Sequence, residues 1–497
     1  MKTLATIPIL VGCAALLVRP VTLLADTDRE RLLRLPPGYG TADYMEPEPD
    51  PDYRHASEQA HQAFRDMKYG VRIHWGLYTL LPGARESWSF LPLTDKERQQ
   101  YLERIHDWNP TRFDAGAWMD FFERAGFKAF AITTKHHEGF SLWDTRTRVT
   151  RRPRYDGPDG PVIENCDVAY SVMETPSKRD IIKELTDAAR GRDLKVNLYF
   201  SHTDWYDVRF RPYGRHPIQN VSSTHIDSLV ERQQRPAKLF PDPTPEERAG
   251  MMARHREQLR ELLTHYGRID MLCLDIGFGA DVWPEMKATI KEIRRQHPDL
   301  MIRNRGIGHY GDYYTPERVV PGDKAATALP WMVIYPLGEH FSYEAEAGRH
   351  KGAKWVIDNL VDSVAKGGNF MVGIGPAPDG TFHPTAVAQL EEVGTWLTVN
   401  GEAIWGAVER PGPLWREGDA VRFTAAKDGA AIYAILLQRP TDPVRLATVP
   451  ADSVAGVTLL GRPGPVAWNA SDGALTVAFP ADAAPAHAYV LKLQLRR

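Results

Sequence analysis

The stretch FKAFAITTKHHEGFSLW, residues 127–143, carries the reading of this chain. Its apolar run from Phe127 to Ile132 follows an amphipathic segment, Asp114–Arg124, in which Ala117, Trp118, Phe121 and Phe122 recur at helical spacing. Gly126 stands between the two, where a helix end wants a residue free to take positive φ. Helix, glycine, strand and then the polar burst Lys135-His136-His137-Glu138-Gly139 describe the exit of a parallel strand. In α/β barrels chemistry gathers at that exit, because strand C-termini aim side chains into one bowl. Adjacent histidines on a regular strand point to opposite faces, so both reach one pocket only where the pleat breaks, as Gly139 would allow. A hydrated loop with incidental histidines is the competing reading of this stretch alone.

The same grammar recurs along the chain. Val71-Arg72-Ile73 runs into His74-Trp75-Gly76, Leu194–Phe200 into Ser201-His202 and Asp204-Trp205, and Ile269–Leu274 into Asp275-Ile276-Gly277. Met301-Ile302 ends in Arg303-Asn304-Arg305-Gly306, and Asn369–Val372 in Gly373-Ile374-Gly375-Pro376. Helix patterns lie between these strands: Ile181, Ile182, Leu185, Ala188 and Ala189; Leu259, Leu262, Leu263 and Tyr266; Met286, Ile290 and Ile293 behind the first-turn residue Pro284. Alternation of strand and helix implies a parallel sheet with right-handed crossovers. Polar clusters at every strand exit favour a closed (β/α)8-like barrel over an open sheet, whose ligands gather at one switch point. Six of the eight strands are legible; the other two are expected near Thr327–Ile334 and within Phe341–Lys354.

Several strings, in order, resemble the α-L-fucosidases of glycoside hydrolase family 29. These are IHWGLY (73–78), TTKHHEGF (133–140), SKRDIIKEL (177–185), NLYFSHTDW (197–205), ELLTHYGRIDMLCLD (261–275), VAKGGNFMVGIGPAPDG (364–380) and VNGEAIWG (399–406). The resemblance spans residues 60–405 and implies an α/β barrel that hydrolyses terminal α-L-fucosyl residues with retention.

Glycoside hydrolysis needs two carboxyl groups flanking the scissile bond. Asp275 ends an almost wholly apolar strand, where a carboxylate is costly unless it is hydrogen-bonded or used. A helix N-cap or a salt-bridge partner is its structural alternative; by the resemblance it is the nucleophile. Glu317 lies in GDYYTPERVV (311–320), twelve residues after Arg305, which is thirty after Asp275. Both spacings fit members of the family whose acid/base follows an Asn-Arg pair. Tyr313 and Tyr314 are expected to wall the Glu317 carboxyl and raise its pKa. Glu344 and Glu346 are the alternatives for this role.

A deoxyhexose offers three hydroxyls, a ring face and a methyl group, and neutral imidazoles, a carboxylate and an arginine suit the hydroxyls. By the resemblance, His74, Glu86, Trp88, His136, His137, Tyr199 and Arg305 bind the sugar. Two departures stand out. Ser87 is inserted between Glu86 and Trp88 where the family has Glu-Trp, which alters the stacking position of Trp88. Met332 follows Trp331 where many members carry Trp-Glu, so a polar contact to the subsite is expected to be missing.

Two other classes of function compete. His74, His136, His137 and His202 would be zinc ligands in a metal-dependent barrel hydrolase, but no His-x-His or helical pair supports that reading. A non-catalytic carbohydrate-binding protein on the same fold would need Asp275 or Glu317 to be dispensable. No cofactor is expected; no Gly-Lys-Ser/Thr follows Gly367-Gly368, so that pair is no phosphate loop.

With 497 residues and 43% hydrophobic content the chain supports a large core and a second domain. A net charge of −3 gives no pull toward nucleic acid or anionic membranes. The basic run Arg146–Arg154 reads as a solvated loop. At the N-terminus, Lys2 precedes a broken apolar stretch, Leu4–Leu24, too interrupted for a membrane span. Residues 1–25 read as an export signal, placing the protein in the periplasm or outside the cell, with a short extension at 26–55. Cleavage after Ala25 and lipid attachment at Cys13, which would make a lipoprotein, are both open; the short apolar run before Cys13 favours cleavage. Cys166 and Cys273 would then remain, with no disulfide expected. The catalytic barrel is expected over 56–408 and a small antiparallel β-sandwich over 414–497, with the Pro- and Arg-rich insertion 206–250 shaping the leaving-group side.

Overall fold

The computed structural model describes residues 46, 48–218, 240–321, 329–471 and 473–496. The expected export signal with Cys13, nearly all of the extension before residue 46, the middle of the 206–250 insertion and Thr327 lie outside the described residues.

Seven parallel strands form the heart of the molecule. They are β1 (Tyr69–Ile73) and β2 (Ala129–Lys135), then, beyond an antiparallel hairpin of β3 (Val149–Arg154) and β4 (Val162–Val168), β5 (Lys195–Ser201), β6 (Met271–Asp275), β7 (Met301–Ile302), β8 (Met332–Pro336) and β9 (Asn369–Ile374). They pair in the order β7-β6-β5-β2-β1-β9-β8. β1, β2, β6, β7 and β9 are buried along their whole length, which is why they read as unbroken apolar runs rather than alternating ones.

The two ends of this sheet are joined by a segment with little strand character in its sequence. Tyr313 bridges Arg303, Tyr314 bridges Trp331 and Glu317 bridges Ile334, all in parallel sense. Asn304 N donates to Tyr313 O at 3.0 Å, and Ile334 N to Pro316 O at 3.0 Å. Residues 313–317 are therefore the eighth stave of a closed barrel. The expected strand within Phe341–Lys354 is not there: the segment is a chain of bends, a 3-10 turn (Ala347–Arg349) and the start of a helix at Ala353. Its physical reason is local, since the Lys351 ammonium gathers the carbonyls of Pro336, Leu337 and Gly338 and folds the chain back on itself.

Helices cover the outside as the periodicity requires. The helix Ala115–Arg124 starts at Asp114, whose carboxylate accepts from Ala117 N at 3.0 Å, and ends before Gly126 at φ +80°. The helix Pro245–Thr264 begins with a reciprocal Thr244/Glu247 capping box, so the expected insertion ends in ordered structure rather than as loop. The helix Glu58–Met67 sends Phe64 and Met67 into a cluster with Met271, Met301, Met332 and Met371. Met332 is the first residue of β8 and packs in this floor, away from the strand exits, so the expected loss of a polar subsite contact there does not arise.

The basic run is also corrected. Much of it is β3, and its arginines are paired: Arg146 with Asp144, Arg148 with Asp167, Arg151 with Glu247, Arg152 with Glu164 and Arg154 with Asp156.

Beyond the helix Pro384–Asn400, nine short strands follow: β10 (Ala407–Glu409), β11 (Arg416–Glu417), β12 (Val421–Ala426), β13 (Ala431–Leu436), β14 (Val444–Pro450), β15 (Val454–Leu459), β16 (Trp468–Ser471), β17 (Ala474–Val477) and β18 (Tyr489–Leu495). One antiparallel sheet runs β10-β12-β13-β18-β15 and a second β14-β17-β16, enclosing Phe423, Leu446, Val457, Leu475 and Leu491. The first sheet's other face belongs to the barrel core through Tyr433, Ile435 and Val490. Trp396 Nε1 donates to Ala488 O at 2.9 Å and Arg422 to Asp362 at 2.6 Å, tying the sandwich to the barrel helices.

Candidate active site

Asp275 is the last residue of β6 and is 8% exposed. Tyr199, on the neighbouring β5, donates its hydroxyl to Oδ2 at 2.8 Å. Arg305, beyond β7, donates from Nη1 to Oδ1 at 2.9 Å, and Arg303 Nη1 stands 3.7 Å from the same oxygen. Burial alone would raise this carboxyl's pKa, but Arg305 and Arg303 outweigh it and hold the group ionised, well below the ordinary value. The turn that follows is strained: Ile276, a β-branched residue, sits at φ +61°. Gly306 at φ +78° makes room for it, since a Cβ there would stand 2.3 Å from Ile276 O. That close approach brings the chain after β7, and so Arg305, over the end of β6.

The second terminal nitrogen of Arg305 donates to Glu317 Oε2 at 2.9 Å. One guanidinium therefore holds both carboxylates, which caps the separation of their nearest oxygens at roughly 8 Å. Glu317 is half-buried, and its direction of shift corrects the sequence expectation. Burial raises its pKa and the Asp275 charge adds to this, but Arg305 prevails and the carboxyl lies below its ordinary value. Tyr313 and Tyr314 do not supply the expected raising wall: Tyr313 sits in the floor, 4.8 Å from the Phe64 ring, and Tyr314 in the main core. Glu344 and Glu346 are held elsewhere: the Glu344 carboxylate accepts from Glu346 N at 3.1 Å, and Glu346 pairs with Arg349 at 3.1 Å.

Three imidazoles complete the bowl. His74 follows β1, and His136 and His137 follow β2, with the latter two rings 4.1 Å apart. The break that turns both inward is a register shift between Thr133 and Lys135 on β2, ahead of the histidines rather than at Gly139. Gly139, at φ +91°, serves a different need, because a Cβ there would meet Asp204 Oδ1 at 2.2 Å. The His136 ring stacks on Tyr199 at 5.4 Å, and His74 lies 5.7 Å from His136. Burial drives His74 and His136 well below the ordinary imidazole pKa and His137 down to about 4, so all three are neutral at working pH. His137 Nδ1 meets Ser201 Oγ at 2.7 Å, and its Nε2 has no partner among the described residues.

This neutrality has a consequence for stability. The unfolded chain takes up a proton at His137 near pH 6.5, whereas the folded protein resists until about 4. Stability present above pH 6.5 is thus lost as pH falls through that window, by roughly 3 kcal/mol for this group. The melting temperature should fall steadily from pH 6.5 to 4, and less steeply in His137→Asn. An unchanged slope in the variant would show that His137 is not buried as a neutral group.

Glu86 and Trp88 are placed differently from a simple sugar-contact pair. Glu86 adopts φ +42°, and its Oε1 accepts from Phe341 N at 2.6 Å and Ser342 N at 3.1 Å. It thereby anchors Phe341, whose ring lies against His74 at 4.9 Å. Trp88 is half-buried at the rim, edge-on to His137 at 4.6 Å and to Trp205 at 5.7 Å. The inserted Ser87 points inward, where its hydroxyl meets His136 Nδ1. Ser87 and Phe341 are site residues that the sequence did not give; the only hint was the displaced Glu-Trp spacing.

His202 does not join the other histidines. Its Nδ1 meets His255 Nε2 at 2.9 Å and the two rings stack. No group of three or more His, Cys, Asp or Glu converges as metal ligands among the described residues. Cys166 and Cys273 are free thiols, and Cys273 sits between Arg72 and Arg303 at 3.3 and 3.2 Å.

A closed parallel barrel that presents two carboxylates on one arginine, beside neutral imidazoles, is built as a glycoside hydrolase. The sequence models described as alpha-L-fucosidase and as alpha-L-fucosidase C-terminal domain match residues 45–402 and 417–494 in tandem. The chain belongs to the α-L-fucosidases of glycoside hydrolase family 29. Human plasma alpha-L-fucosidase is 27% identical over 444 residues, with 82% of each chain covered. Among solved structures, alpha-L-fucosidase isoenzyme 1 from Paenibacillus thiaminolyticus superposes with a TM-score of 0.71 at 28% identity, covering 88% of this chain and 99% of that one. The Bacteroides thetaiotaomicron alpha-L-fucosidase, solved as a trapped covalent intermediate with 2-fluoro-fucosyl fluoride, has a TM-score of 0.70 at 24% identity and covers 93% and 100%. Among the described residues no helix is long and apolar enough to cross a membrane.

Proposed function

We propose that this chain is an exo-acting α-L-fucosidase that works by retaining double displacement, with Asp275 as nucleophile and Glu317 as acid/base. The observation that carries the reading is the shared guanidinium: Arg305 bonds both carboxylates at 2.9 Å. It keeps Asp275 ionised and ready to attack the anomeric carbon, while Tyr199 fixes the other carboxylate oxygen. A sugar seated in the bowl displaces the Arg305–Glu317 contact. Burial and the Asp275 charge, both of which raise the Glu317 pKa, then act against weaker opposition from Arg305 and Arg303, and the carboxyl takes up the proton it gives to the leaving oxygen.

Attack forms a fucosyl ester at Asp275 and removes its negative charge. With that charge gone, Glu317 is drawn back toward the ionised form and takes a proton from the incoming water, which opens the ester. The neutral imidazoles of His74, His136 and His137 suit the sugar hydroxyls, and Phe341 offers an apolar face beside His74 for the methyl group. The covalent intermediate trapped in the Bacteroides relative supports the ester step.

An aryl α-L-fucoside should be cleaved much faster than the corresponding α-galactoside, and the first product seen by NMR should keep the α configuration. EDTA should leave the rate unchanged. Cleavage of the galactoside alone would refute the substrate assignment, an inverted first product would refute the two-step route, and EDTA loss restored by zinc would favour a metal-dependent hydrolase.

A further inference from the structure

Beside the sugar-facing imidazoles lies a buried polar group that hydrolysis itself does not use. Glu138 is 2% exposed, and neither carboxylate oxygen has a hydrogen-bond partner among the described residues. The carboxyl lies against Gly76, where a Cβ would stand 3.0 Å from Oε1, so glycine leaves it room. Ser87 is fully buried; its hydroxyl lies close enough to Glu138 to draw that carboxyl's pKa down, and it hydrogen-bonds His136 Nδ1. A Glu138 carboxyl turned toward Ser87 would complete a chain from carboxyl to hydroxyl to imidazole. In this chain His136 Nε2 is the ring nitrogen left uncommitted.

We propose that Glu138, Ser87 and His136 form a positioning relay, in which a protonated carboxyl donates to Ser87, Ser87 donates to Nδ1, and His136 is fixed as the Nε2–H tautomer that donates to the sugar. Ser87 and Glu138 are positioning residues, acting on substrate only through His136. The inference rests on the bowl being the sugar site.

Burial pushes Glu138 up to about 8, Ser87 opposing and the Asp204 charge assisting, so the carboxyl is protonated at neutral pH. Above that value it loses its proton to solvent and becomes an acceptor. Ser87 then donates to the carboxylate and accepts from Nδ1, so the ring hydrogen moves to Nδ1 and Nε2 turns from donor to acceptor. The groups that face Glu138 are Tyr78, Tyr101, Tyr170 and Asp204, and those that face His136 are His74, His137, Tyr78, Tyr199, Arg72 and Asp275. The tyrosines are raised and the histidines lowered by burial, so none of these titrates near pH 8. Lys135 does: burial lowers it to about 8, and it pairs with Asp204 at 3.5 Å. The readout must therefore be taken at His136.

In 15N spectra of the ligand-free, histidine-labelled protein, with His136 assigned by His136→Asn, His136 should be Nε2–H at pH 7 and Nδ1–H above pH 9. Glu138→Gln, whose amide always donates, should hold Nε2–H throughout, and its KM for an aryl fucoside should lose the alkaline rise of the native enzyme. Ser87→Ala should mix the tautomers and raise KM about tenfold at pH 7 with kcat nearly unchanged, and Ser87→Thr should restore both. A native tautomer constant from pH 7 to 9, an alkaline change retained in Glu138→Gln, or native tautomer and KM in Ser87→Ala would each overturn the relay. Because the spectra need no substrate, they fail or succeed independently of the fucosidase reading.

Discussion

Asp275→Gly should lower kcat for an aryl α-L-fucoside by about 10⁴-fold or more, and azide should restore turnover and release β-L-fucosyl azide. The size of the loss follows from the role. Water alone must attack the anomeric carbon when the nucleophile is gone, and Tyr199 and Arg305 are left facing an empty position instead of the oxygens they hold at 2.8 and 2.9 Å. Azide fits the space of the missing carboxylate and attacks from the same face, so its product has the configuration of the lost ester. The azide is what separates chemistry from damage, since a misfolded variant would not be rescued. A variant that keeps its native melting temperature but yields no azide adduct would strip Asp275 of the role.

Glu317→Ala should reveal itself through the leaving group. Fucosides of poor leaving groups should slow by about 10²- to 10⁴-fold, while activated aryl fucosides should be far less affected because their phenolate departs unprotonated. The basic limb of kcat/KM should also flatten, for it reports the ionisation of the free enzyme's acid. Arg305 holds Glu317 below its ordinary value, so in the native enzyme the acid form is lost early as pH rises. The same selective pattern in Glu344→Ala or Glu346→Ala, with Glu317→Ala unaffected, would move the role to that loop.

The strands were legible because each is an apolar run closed by a polar or glycine-rich exit. Even β7, only Met301–Ile302, announced itself through Arg303-Asn304-Arg305-Gly306. The eighth stave was hidden for physical reasons. Pro316 has no amide to give, and Tyr313–Glu317 shows no alternation. The strand expected within Phe341–Lys354 failed because Lys351 folds that loop back on the carbonyls of Pro336, Leu337 and Gly338.

In the site, the strand pattern placed Asp275, Arg305 and the three histidines at strand exits, while their roles, and that of Tyr199, came from the family resemblance. Ser87 and Phe341 were not legible. Their directions depend on Glu86 adopting φ +42° and accepting the amides of Phe341 and Ser342, contacts between residues more than 250 positions apart. The Glu317 charge state was likewise invisible, because it is decided by a two-pronged arginine rather than by the tyrosines beside it in sequence.

Both carboxylates stand on backbone held in strand register. β6 is paired with β5 at every step from Asn197–Met271 to Ser201–Asp275. Inserting one residue there would flip Asp275 to the other face, so its place in the chain is pinned. The stave bearing Glu317 is laddered to β8 in the same manner: Tyr314 N donates to Pro330 O, Met332 N to Tyr314 O, Ile334 N to Pro316 O and Arg318 N to Ile334 O. A one-residue insertion in either strand would therefore take one carboxylate off the guanidinium that Arg305 extends to both.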